Sequence, residues 1–272
     1  MKVINVIGGG KVGRSLAKKL KTAGYSVGYV VCRTRRSVEE AVDFIGAGTP
    51  LEIGELHHNV RFKGHVVFSV PDDILLELVK IIDISGFKEA NFVFHTSGFL
   101  SSKILRRLCP ACAAIHPVRA FARPLEPYEM TSMLYDVEAS DEGWHFAGEL
   151  VKDLEGAMIK LRADDKRVFH LSCVISSNLG AYMMIKAREI MESIGVEKEI
   201  AEEALVKLMC SVLENFKSVG FEKALTGPAV RGDVHVVNEE GRILKKIDRE
   251  FYRVYKLIVE EIMRWKEEVK GK

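Results

Sequence analysis

A strand-length apolar run, Val3 to Ile7, leads without interruption into Gly8-Gly9-Gly10-Lys11-Val12-Gly13. The glycines are spaced Gly-x-Gly-x-x-Gly, and Val12, Leu16 and Leu20 then recur at helical spacing. This order of strand, glycine turn and amphipathic helix suits a dinucleotide pyrophosphate. Gly8 permits the tight turn, Gly10 lets backbone approach the phosphates, and Gly13 lets the helix pack closely on the strand. N–H groups at the helix start, around Lys11 and Val12, would hold the anion. The alternative is a purely structural glycine turn.

The 272 residues are enough for one large domain or two ordinary ones, and 47% hydrophobic residues can fill a core. A net charge of +2 creates no global field for nucleic acid or an acidic membrane. No uninterrupted apolar stretch nears the roughly 18 residues of a membrane helix, and Met1-Lys2 leaves no room for a signal peptide. A cytoplasmic protein with reduced thiols is expected. Its five cysteines are an odd number, and Cys109-Pro110-Ala111-Cys112 lacks the second pair a zinc site requires. His57-His58 read as surface residues, and no metal site is expected.

Ser26 to Cys32 reads as the second strand, with Ser37 capping the next helix. At its end an NAD site would carry an acidic residue for the adenosine ribose. The chain has Arg33-Thr34-Arg35-Arg36 instead. Guanidinium forks with a neighbouring hydroxyl bind a 2′-phosphate, so Arg33, Thr34 and Arg35 point to NADP, the alternative being a solvated basic turn. Further strands end in Val70-Pro71, in His95-Thr96-Ser97-Gly98 and in His116-Pro117. Ligands collect at the carboxyl ends of such strands. Val70 and Pro71 are expected to line the cofactor groove; His95 and Ser97 are candidates for its mouth, with Thr96-Ser97 as a helix cap the compatible alternative; and His116 is a candidate substrate ligand, a structural histidine being the alternative. Segments 131–139 and 157–161 add two strands around a helix at 141–154. The alternation gives an α/β, doubly wound sheet over residues 1–162.

From 163 to 272 only helical periodicities remain. Residues 165–194 are apolar nearly all round, the pattern of a buried axis. Stretches 200–219 and 239–266 each carry an apolar face. On the first helix Lys166, His170 and Asn178 recur at multiples of four, which places them on one stripe facing a cleft. Lys166 or His170 could move the proton that accompanies hydride transfer, and Asn178 could bond the substrate; core hydrogen bonding is the alternative. In Leu225-Thr226-Gly227-Pro228-Ala229-Val230-Arg231-Gly232-Asp233, Thr226 and Arg231 are candidate substrate ligands, Arg231 for a carboxylate or phosphate. A structural Arg231–Asp233 pair is equally compatible.

The glycine run, Val70-Pro71-Asp72-Asp73, His95-Thr96-Ser97-Gly98, His116-Pro117, Lys166…His170…Asn178 and Leu225 to Asp233 occur in that order. Together they resemble the Rossmann-like oxidoreductase family whose C-terminal half is a domain of unknown function. The chain is also similar to pyrroline-5-carboxylate reductases and, more remotely, to ketopantoate reductases and 6-phosphogluconate dehydrogenases. The resemblance implies an N-terminal NADP-binding Rossmann domain and an all-α C-terminal domain of the 6-phosphogluconate dehydrogenase type, often dimerising. In the related hydroxyacid dehydrogenases a helical lysine is followed four residues later by an asparagine; here His170 holds that position. The expected protein is an NADP(H)-dependent reductase or dehydrogenase of a small keto or imino acid, homodimeric through its C-terminal helices. A non-catalytic NADP-binding sensor or partner protein is the competing expectation.

Overall fold

The computed structural model describes residues 2–56 and 60–270; His57 and His58 lie outside the described residues. The glycine motif lies as its spacing predicts, between β1 (Val3–Ile7) and α1 (Lys11–Thr22). Then follow β2 (Ser26–Cys32), α2 (Arg35–Ile45), β3 (Thr49–Glu52), β4 (Gly64–Phe68), α3 (Asp72–Ile81), β5 (Ala90–His95), β6 (Cys112–Pro117), β7 (Leu134–Ala139), α4 (Gly143–Asp153) and β8 (Ala157–Lys160). Among the described residues eight strands form one sheet in the order β3-β2-β1-β4-β5-β6-β7-β8. Every neighbouring pair is parallel except β6 with β7. The contiguous apolar runs of β1, β4 and β5 are explained by cover on both faces: Val6, Val66, Val67, Val93 and Phe94 are completely buried.

Thr34, not Ser37, caps α2. Its hydroxyl accepts from the Ser37 N–H, and the Ser37 side chain answers the Thr34 N–H in a capping box. Ser37 is therefore the third helical residue, because the helix starts as soon as the β2 strand ends.

The chain separates into two compact units, 1–177 and 178–272. The first contains the sheet and also α5 (Asp165–Val174), so it reaches past the 162/163 division drawn from the sequence. Lys166 of α5 is completely buried and bonds to Asp136 of β7. A π-helical turn, Ile175–Leu179, follows α5, and the second unit comprises α6 (Gly180–Glu192), α7 (Lys198–Val219), the short α8 (Phe221–Ala224) and α9 (Pro228–Arg231), α10 (Val234–Ile247) and α11 (Arg249–Lys270).

Two expectations for the helices need correction. The stretch 239–266 is two helices, because Asp248 takes an extended conformation and its carboxylate accepts from the Phe251 N–H at 2.9 Å, capping α11. The helical run Asp165–Glu192 is not a buried axis within one chain: Val168, Leu171, Ile175, Leu179, Tyr182 and Ile185 are exposed. It is also long enough, and over one 18-residue window apolar enough at a mean hydropathy of 1.4, to cross a membrane by length and composition. Ser172, Ser176, Ser177 and Asn178 interrupt its apolar residues without lowering that average below the range of spanning helices.

Candidate active site

The site is built at the carboxyl ends of β1, β4, β5 and β6. Gly8 has φ +110°, a conformation that excludes L side chains, and a Cβ there would collide with the Ser69 carbonyl. A Cβ on Gly13 would collide with the Gly8 carbonyl, so helix and turn are in direct contact. Gly10, by contrast, faces open space. These are the three requirements of a backbone cradle for a pyrophosphate. Arg14 stiffens the turn by donating from Nε to the Gly9 carbonyl at 2.6 Å.

Two cavities flank this turn and share Val70. One, of about 160 Å³, is lined by Ile7, Val31, Cys32, Ile53, Ile74 and Leu78, with Arg33 and Gly8 completing it. An apolar slot lies here beside an exposed guanidinium. Arg33, Thr34 and Arg35 are all exposed; Arg35 Nε pairs with Glu39 at 2.8 Å, and the Thr34 hydroxyl is spent on the helix cap. Pro71 ends the chain's path out of β4 and precedes α3 directly.

The second cavity, of about 220 Å³, is polar. It is lined by Val12, Val70, Asp72, Thr96, Ser97, Gly98, His116, Pro117, Arg119, Phe121 and His170. A Cβ on Gly98 would collide with the His170 ring and crowd that of His116, so glycine here lets the two imidazoles approach, 5.8 Å between centroids. His170 is half-buried and its ring is pushed towards the neutral form, first by burial and next by His116.

His116 lies directly opposite Asp136 in the antiparallel β6–β7 pair, the arrangement that brings opposed side chains onto one face. Its Nδ1 is 2.6 Å from Asp136 Oδ2. The other oxygen, Oδ1, accepts from Lys166 Nζ at 2.5 Å, and both Asp136 and Lys166 are completely buried. Lys166 is thus an internal counter-ion with its head group consumed. It does not line the cavity, contrary to the role read from the helical stripe. Nor do the three stripe residues share one environment. Lys166 is buried, His170 borders the cavity, and Asn178, in the π turn beginning the second unit, is exposed. The extra residue of a π turn breaks the four-residue phase that the stripe assumed.

His95 also departs from expectation. It is completely buried, with Nδ1 accepting from the Ser97 N–H at 3.2 Å, so its ring cannot touch a nucleotide. Ser97 borders the cavity, but its hydroxyl accepts from the N–H groups of Phe99 and Leu100 and holds the turn after β5. Thr226 and Arg231 are exposed in the second unit, where Arg231 Nε pairs with Asp233 at 2.9 Å, the structural alternative named above. The guanidinium that borders the cavity is Arg119, unread in the sequence, held by one bond from Nη1 to the Glu129 carbonyl. Asp136 was equally unread.

Residues 2–117 match the model of the Rossmann-like domain, and residues 133–262 that of a domain of unknown function, DUF2520. The chain joins a Rossmann-like domain to a DUF2520 domain. His116 thereby belongs to the end of the first match, whereas Asp136, Lys166 and His170 belong to the second. A protein described as a provisional NADP oxidoreductase from Bacteroides fragilis superposes with a TM-score of 0.80 at 21% identity, over 97% of this chain and 98% of its own. A Thermotoga maritima protein does so with 0.74 at 25% identity, over 99% and 100%. The 1-pyrroline-5-carboxylate reductase of Streptococcus pyogenes reaches 0.64 at 13% identity, over 98% of each chain. These likenesses show the shared fold. No curated protein matches the sequence.

Proposed function

We propose that the protein is an oxidoreductase using a pyridine dinucleotide, NADP(H) in preference to NAD(H), on a small keto or imino acid. The observation that carries this reading is the glycine cradle between an apolar cavity and a polar one. An adenosine fits the first, and a nicotinamide with its substrate fits the second. When bound, the nucleotide supplies or accepts a hydride. The chain contributes the pyrophosphate cradle, the Arg33 and Arg35 guanidinium groups for an extra phosphate, and two imidazoles beside the reacting atoms. Arg119 takes the anchoring role that the sequence had suggested for Arg231, since a guanidinium fork matches a carboxylate. One structural relative, the 1-pyrroline-5-carboxylate reductase of Streptococcus pyogenes, is named for a cyclic imino acid, which accords with this substrate class.

Nucleotide titration tests the reading. NADPH is expected to bind in the micromolar range and more tightly than NADH, and the Arg33→Ala/Arg35→Ala variant to weaken NADPH at least tenfold while leaving NADH nearly unchanged, since exposed charge-assisted bonds to the phosphate contribute on that order. No binding of NADPH at millimolar concentration would overturn it. NADPH oxidation with pyruvate, 2-oxobutyrate, 1-pyrroline-2-carboxylate and 1-pyrroline-5-carboxylate then separates an enzyme from a sensor without turnover. The free thiols at all five cysteines agree with a cytoplasmic setting.

We also propose a homodimer formed through the C-terminal helices. Besides the run on α5 and α6, Val206, Leu208, Met209 and Leu213 of α7 are exposed. Large apolar side chains left open in such number favour cover by a second copy. Sedimentation at micromolar concentration is expected to give a dimer, and a single monomeric species would refute this.

A further inference from the structure

Two histidines border the polar cavity, but only one has a third group to orient it. His170 has no carboxylate on either ring nitrogen among the described residues, whereas His116 Nδ1 meets Asp136 at 2.6 Å. We propose that His116 is the residue that moves the substrate's proton, and that the buried Asp136–Lys166 pair exists to fix its tautomer, with hydrogen on Nδ1 and Nε2 left for the substrate. This deepens the reading of the site as a nucleotide-dependent oxidoreductase and rests on it for the reaction, though not for the tautomer.

An isolated carboxylate would not survive complete burial as a charge; the Lys166 ammonium on Oδ1 compensates it. An ionised carboxylate can only accept, so the hydrogen between Nδ1 and Oδ2 belongs to the ring. The neutral ring then carries Nδ1–H, the less common form of free histidine, and its lone pair lies on Nε2. Nε2 bonds to no described residue, a fifth of the side chain is exposed, and the residue borders the cavity. The strand register makes the arrangement rigid, because His116 and Asp136 are cross-strand partners in the interior of the sheet. Lys166, two residues into the first turn of α5, locks the carboxylate from the other side.

In the reductive direction Nε2 first takes a proton from solvent, both ring nitrogens then being donors, and passes it to the substrate's oxygen or nitrogen as that atom takes up the electron pair of its breaking C=O or C=N π bond. A hydride from reduced nucleotide balances the carbon. Nδ1–H remains on Asp136 throughout, so the ring ends neutral and in one tautomer. In the oxidative direction Nε2 accepts the same proton. Asp136 and Lys166 touch no reacting atom and are positioning residues.

The test is a long-range ¹H–¹⁵N correlation spectrum of the full-length protein with ¹⁵N-labelled histidine, recorded without nucleotide, His116 being assigned from its loss in His116→Gln. Nδ1 is expected at the shift of a protonated ring nitrogen and Nε2 at that of an unprotonated one. The opposite tautomer, or an averaged pair of shifts, overturns the proposal in the wild-type protein alone. In Asp136→Asn/Lys166→Met, which keeps the buried site neutral, the fixed tautomer is expected to be lost. NADPH oxidation with the most active of the four acids named above should fall at least 100-fold, in this variant and in His116→Gln, the usual scale of a positioned acid or base, with NADPH affinity altered less than threefold. Undiminished turnover in His116→Gln overturns the proton-moving role. If NADPH does not bind the wild type, the functional reading fails while the tautomer result stands by itself.

Discussion

Lys166→Met is expected to lower the free energy of unfolding by about 3–5 kcal/mol, the usual cost of stripping one partner from a buried ion pair. The ammonium is completely buried, 2.5 Å from a carboxylate that is completely buried too. Its removal leaves Asp136 charged in the sheet interior with only His116 beside it. That loss would be a large share of the 5–15 kcal/mol that folded domains generally hold. The cost belongs to the orphaned carboxylate rather than to the missing lysine contacts, so a second substitution discriminates. Asp136→Leu added to Lys166→Met should recover most of the stability, because replacing both charges by apolar groups of similar volume is often neutral. Urea unfolding of the wild type, both single variants and the double variant gives the coupling energy directly. A loss below about 1 kcal/mol in Lys166→Met would mean that water reaches the pair, and that the internal counter-ion role is wrong.

That lysine also marks where the sequence stopped being informative. The strands of the first unit and the glycine cradle were legible because a sheet covered on both faces writes itself as unbroken apolar runs, and because only glycine satisfies the sterics at Gly8 and Gly13. Leu134-Tyr135-Asp136-Val137-Glu138-Ala139 carries no such run: acids alternate with apolar residues, a pattern compatible with a half-solvated strand. In the structure both faces are covered. Asp136 is spent on His116 and Lys166, while the Glu138 carboxylate accepts from the N–H and hydroxyl of Ser102 at 2.6 and 2.9 Å. Partners twenty to thirty-six residues away leave no local signal, so Lys166 was read on its own helix and assigned to the cleft. The one available hint was two acids within a strand between apolar neighbours. His95 was misplaced for a related reason, since a strand-end residue can point outward or into the core. The all-round apolar helix was recognisable as one needing cover, but periodicity does not say whether the same chain supplies it.

Acidification is expected to weaken the fold from about pH 6.5 downward, before most carboxylates titrate. His95 is completely buried, and desolvation, helped by the nearby Lys166 charge, holds its pKa at about 3, well below the ordinary 6.5. The folded pKa is depressed, so above pH 6.5 neither state holds the proton and the full stability is present. Below it the unfolded chain takes up a proton that the native state refuses until about pH 3. Stability therefore falls with falling pH across that window, at a limiting slope of about 1.4 kcal/mol per pH unit for one group, or roughly 2.3 kcal/mol between pH 6.5 and 4.5. His65 is pushed the same way, chiefly by its own burial, and steepens the descent. Urea midpoints measured from pH 7.5 to 4.5 check the slope. His95→Asn keeps an acceptor for the Ser97 N–H but cannot titrate, so it should flatten the curve by close to one proton while lowering the plateau through the volume it leaves empty. An unchanged slope in that variant would show that His95 charges readily in the native protein, which its complete burial beside an ammonium forbids.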